Sequence, residues 1–253
     1  MRDERPVRSG RYRGTGGRRR AVWIGVCAAV AVVSLVIAVS SGAHAHAELT
    51  RKPTPAELSA AAAVGLTQRW ERLPVGRIFP ATVGYSTNLS TNETARRLGI
   101  SPSDACPASV DGTLTELASR FGCRAGVRAS YADELQGAVY TLGVLAFPSP
   151  ASAASFFTKM PESSYPATGL RALALPGTAA ARFGDAARQA AKTVLTGPYV
   201  VLVVGGYADG RAAAATGERR DSVFTAAAQL AGAVVAELGR PQTVNCGSPE
   251  WSC

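Results

Sequence analysis

The chain has 253 residues and a formal charge of +9, of which residues 1–20 alone hold +6, eight Arg against Asp3 and Glu4. The excess is a Gly/Arg tail and not a basic face of a folded domain, so nucleic acid is not an expected partner. No histidine follows His46, which excludes Ser-His-Asp and Cys-His nucleophilic sites and most zinc hydrolase sites from the bulk of the chain.

Residues 1–20, MRDERPVRSGRYRGTGGRRR, lack the apolar side chains that drive folding and read as a disordered tail. Residues 21–40, AVWIGVCAAVAVVSLVIAVS, carry no charge. As a helix, twenty residues span about 30 Å, the thickness of a bilayer core. Arg18, Arg19 and Arg20 precede this segment, and no Lys or Arg follows until Arg51. The positive-inside rule then leaves the tail in the cytoplasm and the C-terminal bulk outside. A juxtamembrane linker is expected over 41–53. It holds His44 and His46, and two ligands on a flexible linker make a poor metal site. Ala45-His46-Ala47 has the small-x-small form of a cleavage site, which would release a secreted chain beginning at Glu48. The apolar run is longer than the roughly 7–15 residues of a signal-peptide core, which favours an uncleaved signal anchor.

Thr54-Pro55-Ala56-Glu57 forms a capping box with Pro at the first helical position, and Leu58, Ala62, Leu66 and Trp70 then repeat on one face. Pro74 and Gly76 end that helix. Arg77 to Thr87 reads as a strand interrupted at Pro80. Ser90-Thr91-Asn92-Glu93 opens a second helix closed at Gly99, and Thr113 to Glu116 opens a third closed at Gly122. Gly126 to Tyr131 alternates as a half-buried strand. Ala138 to Phe147 is apolar on both faces and reads as a central strand. Ser149-Pro150 starts a helix through Phe156 and Phe157. Residues 161–187 form a long loop in which only Leu170 to Leu175 looks ordered. Arg188 to Leu195 pairs with Tyr199 to Tyr207 across Thr196-Gly197-Pro198. A last helix over Asp221 to Leu238 buries Val223, Ala227, Leu230, Val234 and Leu238. The fold class is α+β. Residues 54–253 form one extracytoplasmic domain, an antiparallel or mixed sheet covered by helices, behind one N-terminal transmembrane helix. Two strand-turn-strand-helix blocks, each with a Tyr-Ala-Asp, raise the idea of an internal duplication, although three residues are slender support.

Cys27 lies inside the apolar segment. Cys106, Cys123, Cys246 and Cys253 form an even set suited to an oxidising compartment, and the local pairings Cys106–Cys123 and Cys246–Cys253 are preferred among three. No catalytic residue, metal site or cofactor is assigned. Gly205 to Ala212 approaches a phosphate-binding loop, but Arg211 and Ala212 replace its Lys and Ser/Thr, so it reads as a tight turn after a strand. Asn88-Leu89-Ser90 and Asn92-Glu93-Thr94 match the glycosylation sequon. The strand ends offer one candidate ligand site, Tyr131, Asp133, Tyr207, Asp209 and Arg211, where tyrosine, acid and arginine suit a polar ligand. Paired carboxylates supply the alternative, an envelope hydrolase.

Arg outnumbers Lys twenty-four to three, with Ala and Gly abundant. With its Arg-rich start, single apolar span and disulfide-bearing domain, the chain resembles the uncharacterised single-pass or secreted cell-envelope proteins of actinobacteria. YTLGVLAFPSPASAASFF is similar to segments of their extracellular sensor domains and small lipoproteins. The resemblance implies a cell-membrane location and a non-enzymatic binding or accessory role toward an envelope protein or wall polymer.

Overall fold

The computed structural model describes residues 16–161, 169–213, 223–240 and 244–245. The chain divides after Thr54 into a helical unit and a folded domain. Helix α1 spans Gly16–Thr50. From Arg20 to Thr50 it is long and apolar enough to cross a membrane, and its apolar side chains are not covered by protein. The expected linker is helical as far as Thr50, a correction. Ala43, Ala45 and Ala47 are strong helix formers. Ser40 Oγ and Thr50 Oγ1 bond back to the carbonyls of Ile37 and His46, and Glu48 pairs with Arg51 at 2.7 Å.

The domain is built on a six-stranded sheet of order β1-β2-β3-β4-β6-β5, every pair antiparallel. The strands are β1 Thr82–Ser86, β2 Asn92–Ile100, β3 Ala125–Ala132, β4 Ala138–Ala146, β5 Ala190–Thr196 and β6 Tyr199–Tyr207. Helices α2 (Pro55–Thr67), α3 (Arg69–Arg72) and α4 (Val75–Ile78) precede the sheet. Helices α5 (Cys106–Ser109) and α6 (Gly112–Arg120) link β2 to β3. Helix α7 (Pro150–Lys159) follows β4, and α8 (Ala226–Gly239) closes the fold. Ser149 caps α7, its Oγ accepting from the Ser152 N–H.

Period-two alternation sends β residues to opposite faces. Tyr131, Tyr140, Leu142, Val144, Val201 and Val203 face α8, where they meet Leu230, Val234 and Leu238. Val139, Leu145, Val200, Leu202 and Val204 face the other way, onto α6, α7 and the 169–187 segment. The sheet is curled, and α8 touches both edge strands, β1 and β5. A register shift between Arg97 and Gly99 bulges β2 and helps it bend.

On the second face, residues 169–175 cross the sheet as a strap. Leu170 forms a bridge with Val110 and fills the space left by Gly143, where a Cβ would overlap it. Buried polar side chains take up the strap's main-chain groups. Arg128 donates to the Arg171 carbonyl at 2.9 Å and Arg188 to the Leu170 carbonyl at 2.8 Å. Ser130 donates to the Leu173 carbonyl, whose own N–H reaches Thr141. Arg188 is balanced by Asp111 at 3.0 Å. A long loop that satisfies its own main chain this way can lie buried. Burial lowers the pKa of Arg128, whose Nε finds no partner among the described residues.

Several expectations need correction. Residues 90–99 form the β1–β2 turn and β2, not a helix. The capping-box residues belong to a hairpin in which Thr87 and Thr91 pair, Ser90 takes φ 60°, and Glu93 bonds across to Tyr85. The 77–87 segment turns through α4 before β1 begins. The helix expected from Thr54 to Pro74 breaks into α2, which buries Ala61 and Gly65 and exposes Ala62, and α3, which buries Arg69. Strand β3 is buried on both faces, being third of six with cover on each side. Gly205 and Gly206 lie inside β6, where a Cβ on Gly206 would overlap the Ala187 carbonyl; the turn comes later, at Gly210. Helix α7 does run through Phe156 and Phe157 as expected, the first buried and the second exposed. Val223 stands outside α8 and is exposed. For the two Tyr-Ala-Asp blocks, where chance is a better explanation than duplication, the placement of the helices agrees with chance. Antiparallel β4 and β6 could be related only by a two-fold axis normal to the sheet, which keeps both helices on one face, whereas α7 and α8 lie on opposite faces.

Cys106 and Cys123 form a disulfide that ties α5 to the end of α6. Cys246, Cys253 and their expected pairing lie outside the described residues. Two stability measurements follow from this packing. Gly143→Ala forces Leu170 from its seat and lowers the urea-unfolding free energy by about 1–3 kcal/mol. Reducing Cys106–Cys123, a bridge between residues 17 apart, lowers it by roughly 3 kcal/mol.

Candidate functional site

Strands β3 and β6 run the same way, so Tyr131, Asp133, Tyr207, Asp209 and Arg211 all gather at one end of the sheet, with β4 between them. Their side chains divide into two groups. The Tyr131 ring is buried and its hydroxyl donates to the Pro80 carbonyl at 2.7 Å. Asp133 accepts from the Gly137 and Ala138 N–H groups at 2.8 and 3.1 Å, which closes the β3–β4 turn. Half-buried Tyr207 and exposed Asp209 and Arg211 form a stack on the other side of β4. The Arg211 guanidinium lies 4.3 Å over the Tyr207 ring and pairs with Asp209 at 2.6 Å. That hydrogen bond holds Asp209 below the usual carboxylate range. Tyr207 packs edge-on against Phe224, which fixes the ring that Arg211 covers. The sequence thus placed five residues at one end, and the folded chain turns two of them to holding a strand end and a turn.

The neighbouring hairpin contributes a cleft. Gly84, Tyr85, Ser86, Asn92, Glu93, Thr94 and Gln229 line a space of about 370 Å³. Strand β1 alternates exposed and buried positions, so Gly84 and Ser86 face outward with their cross-strand partners Thr94 and Asn92. Tyr85 and Glu93 form the inward pair, the phenol donating to the carboxylate. The Gln229 amide on α8 binds the Ser86 main chain at both ends. Its Oε1 accepts from the N–H and its Nε2 donates to the C=O, each at 2.8 Å, as a neighbouring strand would. Ser86 Oγ reaches Asn92 Oδ1 at 3.0 Å. The groups around the cleft are therefore held in place by bonds among themselves.

Sequence reading missed Glu93 and Gln229. It placed residues 90–99 in a helix, which hid the pairing of Tyr85 with Glu93. The available signal was the spacing from Tyr85 to Glu93 across the Asn88-Leu89-Ser90 turn. The contact of Gln229 with β1 joins positions 143 residues apart and leaves no local trace. Asn88 sits in that turn and Asn92 opens β2. Among the described residues no group of three or more His, Cys, Asp or Glu is placed to hold a metal ion.

No family of known proteins, no curated protein and no solved structure matches the chain.

Burial shifts several phenols together. Burial, reinforced by the bond to Glu93, pushes Tyr85 far above its ordinary range, and burial also raises Tyr131 and Tyr140. Tyr199 is pushed up to about 12 by burial while its hydroxyl donates to the Leu66 carbonyl. In the unfolded chain these groups ionise near pH 10. Each raised pKa means the folded state holds the proton more tightly, so this stability is full below pH 10 and lost above it. For Tyr199 the loss runs from pH 10 to about 12. Absorbance titration of phenolate is expected to show Tyr85, Tyr131, Tyr140 and Tyr199 ionising in a cooperative step above pH 10 that coincides with loss of circular dichroism. Ionisation of these four near pH 10, with the fold intact, contradicts the burial argument.

Proposed function

We propose that the chain is a membrane-anchored extracytoplasmic domain of the cell envelope that binds a partner or wall component and carries out no chemistry of its own. Helix α1 supports the anchor: it presents an uncovered apolar surface from Arg20 onward. The arginines before it orient the N-terminus toward the cytoplasm. The Cys106–Cys123 bridge suits an oxidising compartment. Retention of the anchor is favoured because Ala45-His46-Ala47 lies within α1, and peptidases act on extended or disordered segments. The resemblance to actinobacterial envelope proteins points the same way.

The binding role rests on one observation, the prearranged polar cleft beside the β1–β2 hairpin. A hydrolase of facing carboxylates is the weaker reading. Asp133 commits its carboxylate to the main chain of its own turn, and Asp209 is neutralised by Arg211. Neither carboxyl is left free to protonate a leaving group, as such a mechanism needs.

Washed membranes of the producing cell are expected to hold the chain with its N-terminus intact. Protease added to intact cells is expected to remove the C-terminal domain and spare the tail. Alkylation before reduction is expected to leave Cys106 and Cys123 unmodified. A soluble species starting at Glu48 refutes the anchor, and a domain protected in intact cells refutes the orientation.

A further inference from the structure

We propose that the cleft between the β1–β2 hairpin and α8 is a saccharide site that takes a polyhydroxylated segment of an envelope glycan. The inference rests on the envelope-binding reading and names its ligand. Three properties of the cleft carry it.

The first is composition. Ser86, Asn92, Thr94 and Gln229 supply hydroxyls and carboxamides, groups that both donate and accept hydrogen bonds. Sugar hydroxyls do the same, so the two sets pair without leaving a charge buried. Among the described residues no cation lines the cleft to pair with a phosphate or carboxylate ligand. The Glu93 carboxylate, held by the Tyr85 phenol, is the strongest acceptor on the rim.

The second is the main chain. Thr87 donates to Thr91 across the hairpin, so ladder alternation turns the N–H and C=O of residues 84 and 86 away from β2. The bonds from Ser86 to Gln229 confirm that direction. Ser86 is occupied, whereas Gly84 offers one main-chain donor and one acceptor along the cleft. Rigid main-chain groups suit a ligand rich in vicinal hydroxyls, because no side-chain freedom is lost on binding.

The third is the glycine. A Cβ at Gly84 would meet only the Glu93 carbonyl oxygen, at 4.0 Å. Nothing in the packing of β1 requires glycine there, and a β-branched residue would suit a strand better. The missing side chain leaves the floor of the cleft open.

The test uses the full chain in nanodiscs with two probes, protein-free peptidoglycan sacculi and a printed array of soluble-type oligosaccharides. Wild-type protein is expected to sediment with sacculi or to bind array glycans. Retention on sacculi alone assigns the ligand to wall polymer, and binding on the array assigns it to free oligosaccharide as well. Gly84→Val, which fills the cleft, is expected to lower binding by about tenfold or more while keeping its urea midpoint. Asn92→Ala, at an exposed position, repeats the test should the valine variant fold poorly. Wild-type protein that binds neither probe overturns the proposal, as does equal binding by wild type and both variants. Either result leaves the anchor and the orientation standing, since N-terminal integrity and protease accessibility in intact cells decide those separately, and equal binding places the glycan contact outside the cleft.

Discussion

Helix α8 lies in the curl of the sheet and reaches both of its edges, and most of the domain is arranged around that contact. Leu230, Val234 and Leu238 meet the central strands, Gln229 takes up the free edge of β1 at Ser86, and Gly239 lies against Thr196 of β5. A strand edge left bare invites pairing with other chains. Here a helix takes up that role from inside the curl. The helix is in turn held at its C-terminal end, where buried Arg69 donates to the Leu238 carbonyl at 2.6 Å and Glu237 bridges Arg77 and Arg240. A cation at that end opposes the negative pole of the helix dipole.

The second face is solved differently. Among the described residues no long helix spans it. Short helices and the 169–175 strap cover it, and the strap is threaded over strands that carry Gly143, Arg128, Ser130 and Thr141 in place of large apolar groups. Leucines enter the space made by glycine, and buried polar side chains meet the strap's carbonyls. The cost of burying arginine is offset by bonds to main chain and by Asp111. The two faces leave the sheet ends as the part of the domain where polar groups meet solvent. The candidate site lies there, at the end that carries the β1–β2 and β3–β4 turns.

Much of the architecture was legible in the sequence. The apolar runs 138–147 and 199–207 are central strands because both faces are covered, and a run without alternation says so directly. Ser149-Pro150 marked the start of α7, and Gly122 the turn that ends the α6 region. The candidate site was legible in part. The two Tyr-Ala-Asp triplets do lie at one end of the sheet, but the partners that occupy Tyr131 and Asp133 could not be read from their neighbours in the chain. Pro80 lies 51 residues from Tyr131. Residues 90–99 misled because a Ser-x-x-Glu pattern satisfies main-chain donors at a helix start and occurs equally well around a hairpin.

By itself the sequence determined the uncharged helix and its flanking arginines, the α+β class and the exclusion of histidine chemistry. These depend on composition and on periodicity over neighbouring residues, which the chain carries wherever it folds. Only the tertiary structure decided the strand order, the opposite placement of α7 and α8, the strap and the cleft between β1 and Gln229. These are contacts between residues tens to more than a hundred positions apart. Their energies arise from surfaces that meet only once the sheet has curled around α8.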